Sequence, residues 1–268
     1  MKMCFIMRDA RFSPNSERKD RNIMQATIDR ISAAGHDVVT KEEREDSNVE
    51  ADVFVSMGRL ENTLLVLEDK ERLGHVVLNS VKGIRNSRRS VYEKLMRTHH
   101  MPLPPEVGND GYWVKRGDAC AQRPNDVMFA KDDVYRHQII ESFRQRGISD
   151  IVVSAHIKGD LIKFYGVRDT SFFKYYYPTE EDDSKFGLES INGRPHFYPF
   201  DVQQLIQIVD KTADIVGLDI YGGDAIVTPE GKIYIIDFND WPSFSRFREE
   251  AADAIVEHII DKATYGKQ

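Results

Sequence analysis

The stretch from Gly217 to Phe244, GLDIYGGDAIVTPEGKIYIIDFNDWPSF, is the part of the sequence that most constrains the fold. Two apolar, β-branched segments flank Thr228-Pro229-Glu230-Gly231, and Pro and Gly at these positions are typical of a type I turn. The pattern therefore predicts a β-hairpin. If Thr228 and Gly231 close the turn, residue 224 lies opposite residue 235.

Oxygen-bearing side chains are concentrated in this predicted hairpin. Side chains alternate along a strand, so Asp237 and Asn239 share a face with Ile235 and therefore with Asp224. A buried carboxylate is costly unless it is paired or bound to a metal, and hard oxygen ligands in this number suit Mg²⁺ that carries nucleotide phosphates. The alternative interpretation is that these acids lie at strand ends and face solvent, and a β-bulge would disturb the register.

The run Gly-Gly-Asp-Ala-Ile-Val, a tight turn and then Ile-Ile-Asp-Phe-Asn-Asp-Trp-Pro-Ser-Phe resembles the metal-binding end of the ATP-grasp superfamily. It is particularly similar to the ligases that add glutamate to ribosomal protein and to the ATP-grasp inositol phosphate kinases. By position, the resemblance implies Asp224, Asp237 and Asn239 as Mg²⁺ ligands. Many members have Glu where this chain has Asp237, whereas the kinase branch has Asp. The implied fold is an α/β (α+β) ATP-grasp fold, in which a Rossmann-like N-terminal lobe precedes two α+β lobes that clasp ATP.

The composition is that of a globular protein rather than a disordered one, with 41% apolar and 30% charged residues in a chain of 268. The net charge of -7 argues against a general nucleic-acid binder, because phosphate backbones favour a basic face. No apolar segment approaches membrane-spanning length, and the start of the chain lacks the long apolar region of a signal peptide. Cys4 and Cys120 provide neither a disulfide framework nor metal-ligand spacing, so a reducing cytoplasm is the expected location.

The first 84 residues alternate between predicted strands and helices, which indicates a parallel sheet with helices on its faces. This small α/β lobe resembles the domain that precedes the ATP-grasp core. Ligands bind at the carboxyl ends of the strands in such sheets. Arg8 and Arg11 follow the first strand, so they either hold an anionic substrate or belong to a solvated basic loop.

A linker helix is predicted from about Ser87 to His99. Arg88 and Arg89 stand where many ATP-grasp members have a Lys near the start of this helix, so a cationic contact to phosphate is an open alternative there. The predicted domains are residues 1–84, a linker helix and small ATP-grasp lobe over residues 85–153, and a larger lobe with the metal site over residues 154–268. A last helix, about Arg246 to Lys262, is predicted to pack against the sheet.

Lys115 ends a short apolar strand, and the resemblance implies that it contacts the phosphates of ATP. A Lys in this position is otherwise usually solvated. The loop that follows, RGDACAQRPND, has one Gly, whereas family members commonly have a glycine-rich lid whose backbone N–H groups bind phosphates. The lid is therefore the part of the nucleotide site in which this chain departs most from the family.

Residues 151–157 form a predicted buried strand that leads into a hinge. The resemblance implies that adenine lies against Ser154, Ala155, His156 and Ile157 and is bound mainly by their backbone groups. Members often have acidic residues or Gln where this chain has Ser154 and Ala155, so a polar contact to the adenine amino group is absent. The His156 side chain is interpreted as a satisfied core or hinge histidine rather than a base.

Two further lysines are candidates for contact with the phosphate or the transferred group. Lys163 lies on the strand that returns from the hinge, and the alternative is an exposed strand lysine. Lys174 lies on the next strand, where ligase members tend to have an Arg that steadies an acyl-phosphate, although Lys lacks the bidentate geometry of Arg. Residues 179–197 form a predicted lid-length loop, with disorder expected over Glu180 to Asp183.

The resemblance implies attack on the γ-phosphate of MgATP, which needs positioning and charge neutralisation more than a protein base. The leading hypothesis is an ATP-dependent carboxylate–amine ligase that acts through an acyl-phosphate on a small-molecule or peptide substrate. The alternatives are an ATP-grasp kinase acting on a polyol or phosphorylated small molecule, and a nucleotide-binding protein without turnover. Neither the acceptor nor the oligomeric state is indicated by the sequence.

Overall fold

The computed structural model of the protein describes residues 1–45, 48–118, 121, 123–178 and 191–265. Within these ranges the chain forms eleven strands and seven α-helices. The strands are β1 (Lys2–Met7), β2 (Asp37–Glu42), β3 (Val53–Ser56), β4 (Val76–Leu78), β5 (Tyr112–Arg116), β6 (Val127–Ala130), β7 (Ile151–Ala155), β8 (Asp160–Val167), β9 (Phe173–Tyr176), β10 (Ile220–Val227) and β11 (Ile233–Asp240). The helices are α1 (Glu17–Ala33), α2 (Glu61–Arg72), α3 (Val81–Asn86), α4 (Arg89–Thr98), α5 (Asp133–Gln145), α6 (Val202–Val216) and α7 (Arg248–Tyr265).

The N-terminal sheet is fully parallel, with strand order β2-β1-β3-β4, which confirms the parallel sheet predicted from the alternation of strands and helices. Successive residues of β1 point to opposite faces. Met3 and Phe5 pack with α1, whereas Cys4 and Ile6 pack with α2 and α3. Both faces of this sheet are therefore buried, as expected for parallel strands.

The last helix completes the core of the first sheet. Ile255 and Ile259 of α7 belong to the same buried cluster as Met3 and Phe5 of β1, and α7 packs alongside α1. The apolar face of a helix from the far end of the chain thus covers a sheet built from the first residues. The predicted packing of this helix against a sheet is confirmed, and the sheet is the N-terminal one.

Two antiparallel sheets follow. The smaller has strand order β6-β5-β7 and packs on α5, and the larger has order β11-β10-β8-β9 and packs on α4 and α6. The linker helix predicted from about Ser87 to His99 occurs as α4, and a further short helix, α3, precedes it. The predicted domain boundaries fall inside α3 and β7, so the division into domains stays a prediction. No helix in the described ranges is long and apolar enough to cross a membrane.

The hairpin of β10 and β11 has a different register from the predicted one. The Gly231 N–H donates to the Thr228 carbonyl as a turn requires, but the Thr228 N–H donates to the Lys232 carbonyl, so three residues form the loop. Gly231 has a φ of +77°, which is typical of a type I turn followed by a left-handed residue. Residue 225, not 224, therefore lies opposite Ile235.

A β-bulge then shifts the pairing by one more residue. Asp224 pairs with Asp237, while Ala225 pairs with Ile235, and Ile236 has no Cα partner on β10. A bulge of this kind leaves one residue unpaired and bends its strand. The expectation that residue 224 faces residue 235 is therefore wrong, and the two irregularities bring Asp224 and Asp237 directly opposite each other.

Asn79 joins the N-terminal sheet to the larger antiparallel sheet. Its buried side chain accepts hydrogen bonds from the N–H groups of Asp219 (2.9 Å) and Ile220 (2.8 Å) and donates to the Ile220 carbonyl (2.7 Å). Next to it, a Cβ on Gly83 would lie 2.1 Å from the Gly217 carbonyl oxygen, so the backbones meet there without an intervening side chain. The start of β10 is thereby fixed against the first lobe.

We expect Asn79→Ala to lower the free energy of unfolding by roughly 3 kcal/mol, because it leaves buried backbone groups without hydrogen-bond partners. Chemical denaturation of the variant and the wild type measures this difference. The matched control is Asn86→Ala, which removes a single bond from a half-buried side chain to the Val216 carbonyl and is expected to cost about 1 kcal/mol. Equal effects of the two substitutions would contradict the role assigned to Asn79.

Candidate active site

A cavity of about 380 Å³ lies between the two antiparallel sheets and extends to the loops that follow β1 and β3. The predicted metal ligands, Asp224, Asp237 and Asn239, line this cavity. The predicted phosphate contacts Lys115 and Lys163 line it as well. These five residues, predicted separately, lie on four different strands and are therefore brought together.

The two carboxylates of the hairpin face each other across neighbouring strands. Asp224 of β10 and Asp237 of β11 are paired in register, and about a quarter of each side chain remains exposed, 27% and 28%. Asn239 lies two residues beyond Asp237 and opposite Gly222, and its side chain hydrogen-bonds Asp237. The acids are therefore neither fully buried nor simply solvated, and their oxygens are turned toward the cavity.

Around these two carboxylates the described chain places three cations. Lys163 Nζ lies 3.3 Å from Asp224 Oδ1, and Arg89 Nη2 lies 3.5 Å from Asp237 Oδ1. Lys115 Nζ donates to the carbonyl of the bulged residue Ile236 at 2.8 Å. Positive charge in excess of negative charge in a cleft favours an anionic ligand.

The charges at the centre of the cluster depend on one another. Burial raises the pKa of Asp237, but Arg89, Lys115 and Lys163 together hold that pKa below its ordinary value. Burial lowers the pKa of Lys115, and the neighbouring Arg89 lowers it further, while Asp237 acts in the opposite direction. Arg89 thus influences both groups. From the sequence, a contact between Arg89 and a phosphate was an open alternative. The structure places Arg89 beside Asp237.

The donor set is compatible with Mg²⁺ carried by phosphates. In the described ranges no three His, Cys, Asp or Glu side chains form a group that could hold a metal ion by themselves. Asp224 and Asp237 with the Asn239 amide offer two carboxylates and one further oxygen. Mg²⁺ is usually held by one or two carboxylates together with substrate phosphates and water rather than by an all-protein cage, so these residues fit that mode of binding.

The hinge residues Ser154, Ala155, His156 and Ile157 also line the cavity. The Ala155 N–H donates to the Pro105 carbonyl at 2.7 Å, and the His156 N–H donates to the Gly111 carbonyl at 2.9 Å. The Ile157 N–H has no hydrogen-bond partner among the residues that the structure describes. A backbone donor is therefore left for a ligand at the position where the resemblance implies adenine.

Lys174 is separated from the other predicted residues. It does not line the cavity, although Tyr176 on the same strand does. Its ammonium forms an ion pair with Glu250 of α7 and lies 5.5 Å from the centre of the Phe247 ring. The catalytic role predicted for Lys174 is thus not supported by proximity, and the structure gives the residue a packing partner instead.

Parts of the two predicted lids lie outside the described residues. These are residues 119, 120 and 122 of the loop after β5, and residues 179–190, which include the segment Glu180 to Asp183. Cys120 belongs to the first of these segments. The predictions for these residues therefore stay predictions, whereas Cys4 is buried in the core of the N-terminal lobe as expected.

Sequence reasoning missed an ion-pair cluster at the end of β11. Arg8 lies 3.0 Å from Asp20 and 3.4 Å from Asp240, and Arg59 Nη2 lies 2.5 Å from the other oxygen of Asp240. The Arg8 side chain is only 7% exposed, so the expectation of a solvated loop is wrong for this residue, whereas Arg11 is largely exposed and pairs with Asp9. The positions of Arg8 and Arg59 after β1 and β3 were the available signal.

By sequence, no protein-family model and no curated protein matches this chain. Solved structures do match it in fold. The D-alanine–D-alanine ligase from Bacillus anthracis, complexed with ATP, aligns with a TM-score of 0.67 and 12% identity over 100% of this chain and 98% of that chain. D-alanyl-alanine synthetase A from Vibrio cholerae aligns with a TM-score of 0.69 and 11% identity over 98% of both chains.

The ATP-grasp ligase PsnB, complexed with a minimal precursor, aligns with a TM-score of 0.61 and 13% identity over 96% of this chain and 98% of that chain. The likeness therefore extends over the whole chain rather than over one lobe. At these identities it concerns the fold. The chain has the fold of ATP-grasp ligases, which confirms the predicted fold class.

We expect Asp240→Asn to lower the free energy of unfolding by about 3 kcal/mol at neutral pH, because Arg59 loses the carboxylate that it binds at 2.5 Å and Arg8 loses one of its two carboxylates, all within a buried cluster. Burial raises the pKa of Asp240, but Arg59 and Arg8 hold it below the ordinary value. Its contribution is therefore complete above the unfolded-state pKa of about 3.9 and is lost as the pH falls through the folded-state pKa.

Urea denaturation of wild type and Asp240→Asn between pH 3 and pH 8 tests this expectation. The difference between the two proteins should be constant near neutrality and should shrink only below a pH of about 4. Glu42→Gln is the control, because Glu42 pairs with Arg21 at the surface and such pairs contribute less than about 1 kcal/mol. A difference that persisted undiminished in acid would contradict the assignment.

Proposed function

We propose that this protein is an ATP-dependent ligase that joins a carboxylate to an amine through an acyl-phosphate. The observation that carries the proposal is the pair Asp224 and Asp237, which face each other in a cleft between two antiparallel sheets and are surrounded by Lys115, Lys163 and Arg89. Such an arrangement suits a complex of a metal ion with a polyphosphate, because the carboxylates can bind the metal ion and the cations can bind the phosphate oxygens.

In this proposal the nucleoside lies against the hinge at residues 154–157, and the Ile157 N–H is available to it. The triphosphate extends toward Lys115 and Lys163. Asp224, Asp237 and Asn239 would hold Mg²⁺. The ion supplies charge neutralisation at the phosphate oxygens when it is bound.

The chain's own residues then act by position and charge. Lys115 and Lys163 would bind the phosphate oxygens and stabilise the charge that develops when a substrate carboxylate attacks the γ-phosphate. A carboxylate is already ionised near neutral pH, so the attack needs no general base from the protein. An amine then displaces phosphate from the acyl-phosphate, which completes the bond.

The acceptor would occupy the part of the cavity that the hinge and the phosphate-binding lysines leave free. The cavity lining also includes the aromatic and hydroxyl side chains of Phe12, Ser16, Tyr176, Ser243 and Ser245, which would suit a small molecule or a peptide segment. Two of the structural neighbours are D-alanine ligases, and PsnB was determined with a precursor. These neighbours support the ligase class, and the acceptor itself is left to experiment.

Asp237→Ala should abolish the stabilisation that MgATP gives to the wild type. A ligand at a hundred times its dissociation constant adds about 2.7 kcal/mol, which raises the melting temperature of a domain of this size by roughly 5–10 °C. The variant loses a carboxylate needed for the metal and leaves Arg89 and Lys115 without their counter-charge. Melting curves with and without MgATP measure the effect.

The control for this experiment is Asp69→Ala, which removes an exposed carboxylate of α2 that pairs with Arg72. It should retain the full MgATP shift. A shift of wild-type size in Asp237→Ala would refute the metal site, and the absence of a shift in the wild type would refute the MgATP site as a whole.

A product assay separates the ligase from a kinase. With MgATP and mixtures of carboxylate and amine acceptors, a ligase releases ADP and free phosphate in equal amounts, in proportion to the amide formed. A kinase forms ADP without free phosphate, because the phosphoryl group stays on the acceptor. We expect the first result, and phosphorylated acceptor without free phosphate would contradict the proposal.

A further inference from the structure

Trp113 and His156 form a hydrogen-bonded pair on the wall of the cavity. The Trp113 indole Nε1–H donates to His156 Nδ1 at 3.1 Å, and both rings lie against Phe129. Trp113 is paired with Ser154 on the neighbouring strand, so Trp113, Ser154 and His156 lie on the face of the small sheet opposite the α5 core. All three line the cavity.

The Trp113 contact determines the tautomer of His156. An indole nitrogen can only donate a hydrogen bond, so Nδ1 of the histidine must be the acceptor. A neutral imidazole that accepts at Nδ1 carries its proton at Nε2. Burial lowers the pKa of His156, which keeps the ring in this neutral form at physiological pH.

The Nε2–H of His156 is consequently a hydrogen-bond donor whose position on the ring is fixed by Trp113. Among the described residues no hydrogen-bond partner of this nitrogen is found. The ring lines the cavity on the hinge side, one residue from the Ile157 N–H and on the same sheet as Lys115. Two consecutive residues of the cavity wall, His156 and Ile157, therefore each carry a donor that no described residue accepts from.

We propose that the His156 side chain binds the nucleoside part of the nucleotide through Nε2–H, and that Trp113 is the residue that holds His156 in the donating tautomer. The ligand atom would be a ring nitrogen, carbonyl or ribose oxygen that accepts a hydrogen bond. This inference rests on the proposed function, which puts a nucleotide in this cavity. It replaces the interpretation of His156 as a satisfied hinge histidine with a role in nucleotide selection.

Calorimetric titration with MgATP and with magnesium tripolyphosphate, which lacks the nucleoside, tests this role. His156→Phe keeps an aromatic ring and removes the donor. We expect it to weaken MgATP binding by about twofold to tenfold, as for the loss of one hydrogen bond, and to leave tripolyphosphate binding unchanged. His137→Phe is the control, because His137 is an exposed residue of α5 and should alter neither affinity.

A second variant keeps His156 itself in place. Trp113→Phe keeps an aromatic ring at residue 113 but removes the N–H that fixes the His156 tautomer. The ¹⁵N NMR spectrum of the His156 imidazole should therefore change from that of a single Nε2–H tautomer to that of a mixture. Unchanged nitrogen shifts would overturn the role given to Trp113.

The outcomes distinguish this inference from the proposed function. Wild type that binds neither ligand would overturn both. Wild type that binds MgATP, together with His156→Phe that binds it equally well, would overturn the inference and leave the proposed function intact. Equal loss of MgATP and tripolyphosphate binding in His156→Phe would also overturn it, since the nucleoside would then not be the group recognised.

Discussion

The buried carboxylate of Asp240 is the constraint on which the arrangement of the lobes depends. Arg8 and Arg59 come from the carboxyl ends of β1 and β3 and converge on this one side chain at the end of β11. In open α/β sheets this crevice is where ligands usually bind. Here the chain's own carboxylate occupies the crevice, and it supplies a shared negative charge to two guanidinium groups in a buried cluster. The residue before it, Asn239, is thereby held at the edge of the cavity.

Irregular backbone, rather than regular pairing, assembles the acidic pair. The three-residue turn and the bulge each shift the hairpin by one position, and only their sum brings Asp224 opposite Asp237. The unpaired residue, Ile236, also turns its carbonyl to Lys115, so the same defect positions a cation of the smaller sheet. A bulge at a functional site is a recurrent means of redirecting side chains and backbone groups.

The features that could be predicted from the sequence are those that depend on residues close together in the chain. The last helix, predicted from about Arg246 to Lys262, spans Arg248–Tyr265 because its pattern is local, and the acids of the hairpin share the cavity because alternation is also a local property. The register depended on one glycine in a left-handed conformation and on one unpaired residue, which a pattern of apolar residues does not specify. The ion pairs of Asp240 and Lys174 join residues far apart in the chain, and local periodicity carries no information about them.

The position of α7 has a consequence for the order in which the chain acquires its structure during synthesis. The N-terminal strands leave the ribosome first, yet one face of their sheet is covered partly by residues 248–265. Met3 and Phe5 therefore lack part of their buried surroundings until residues 248–265 have been made. Before α7 emerges, the first lobe thus exposes apolar surface that α7 later buries, and such transiently exposed surface favours aggregation.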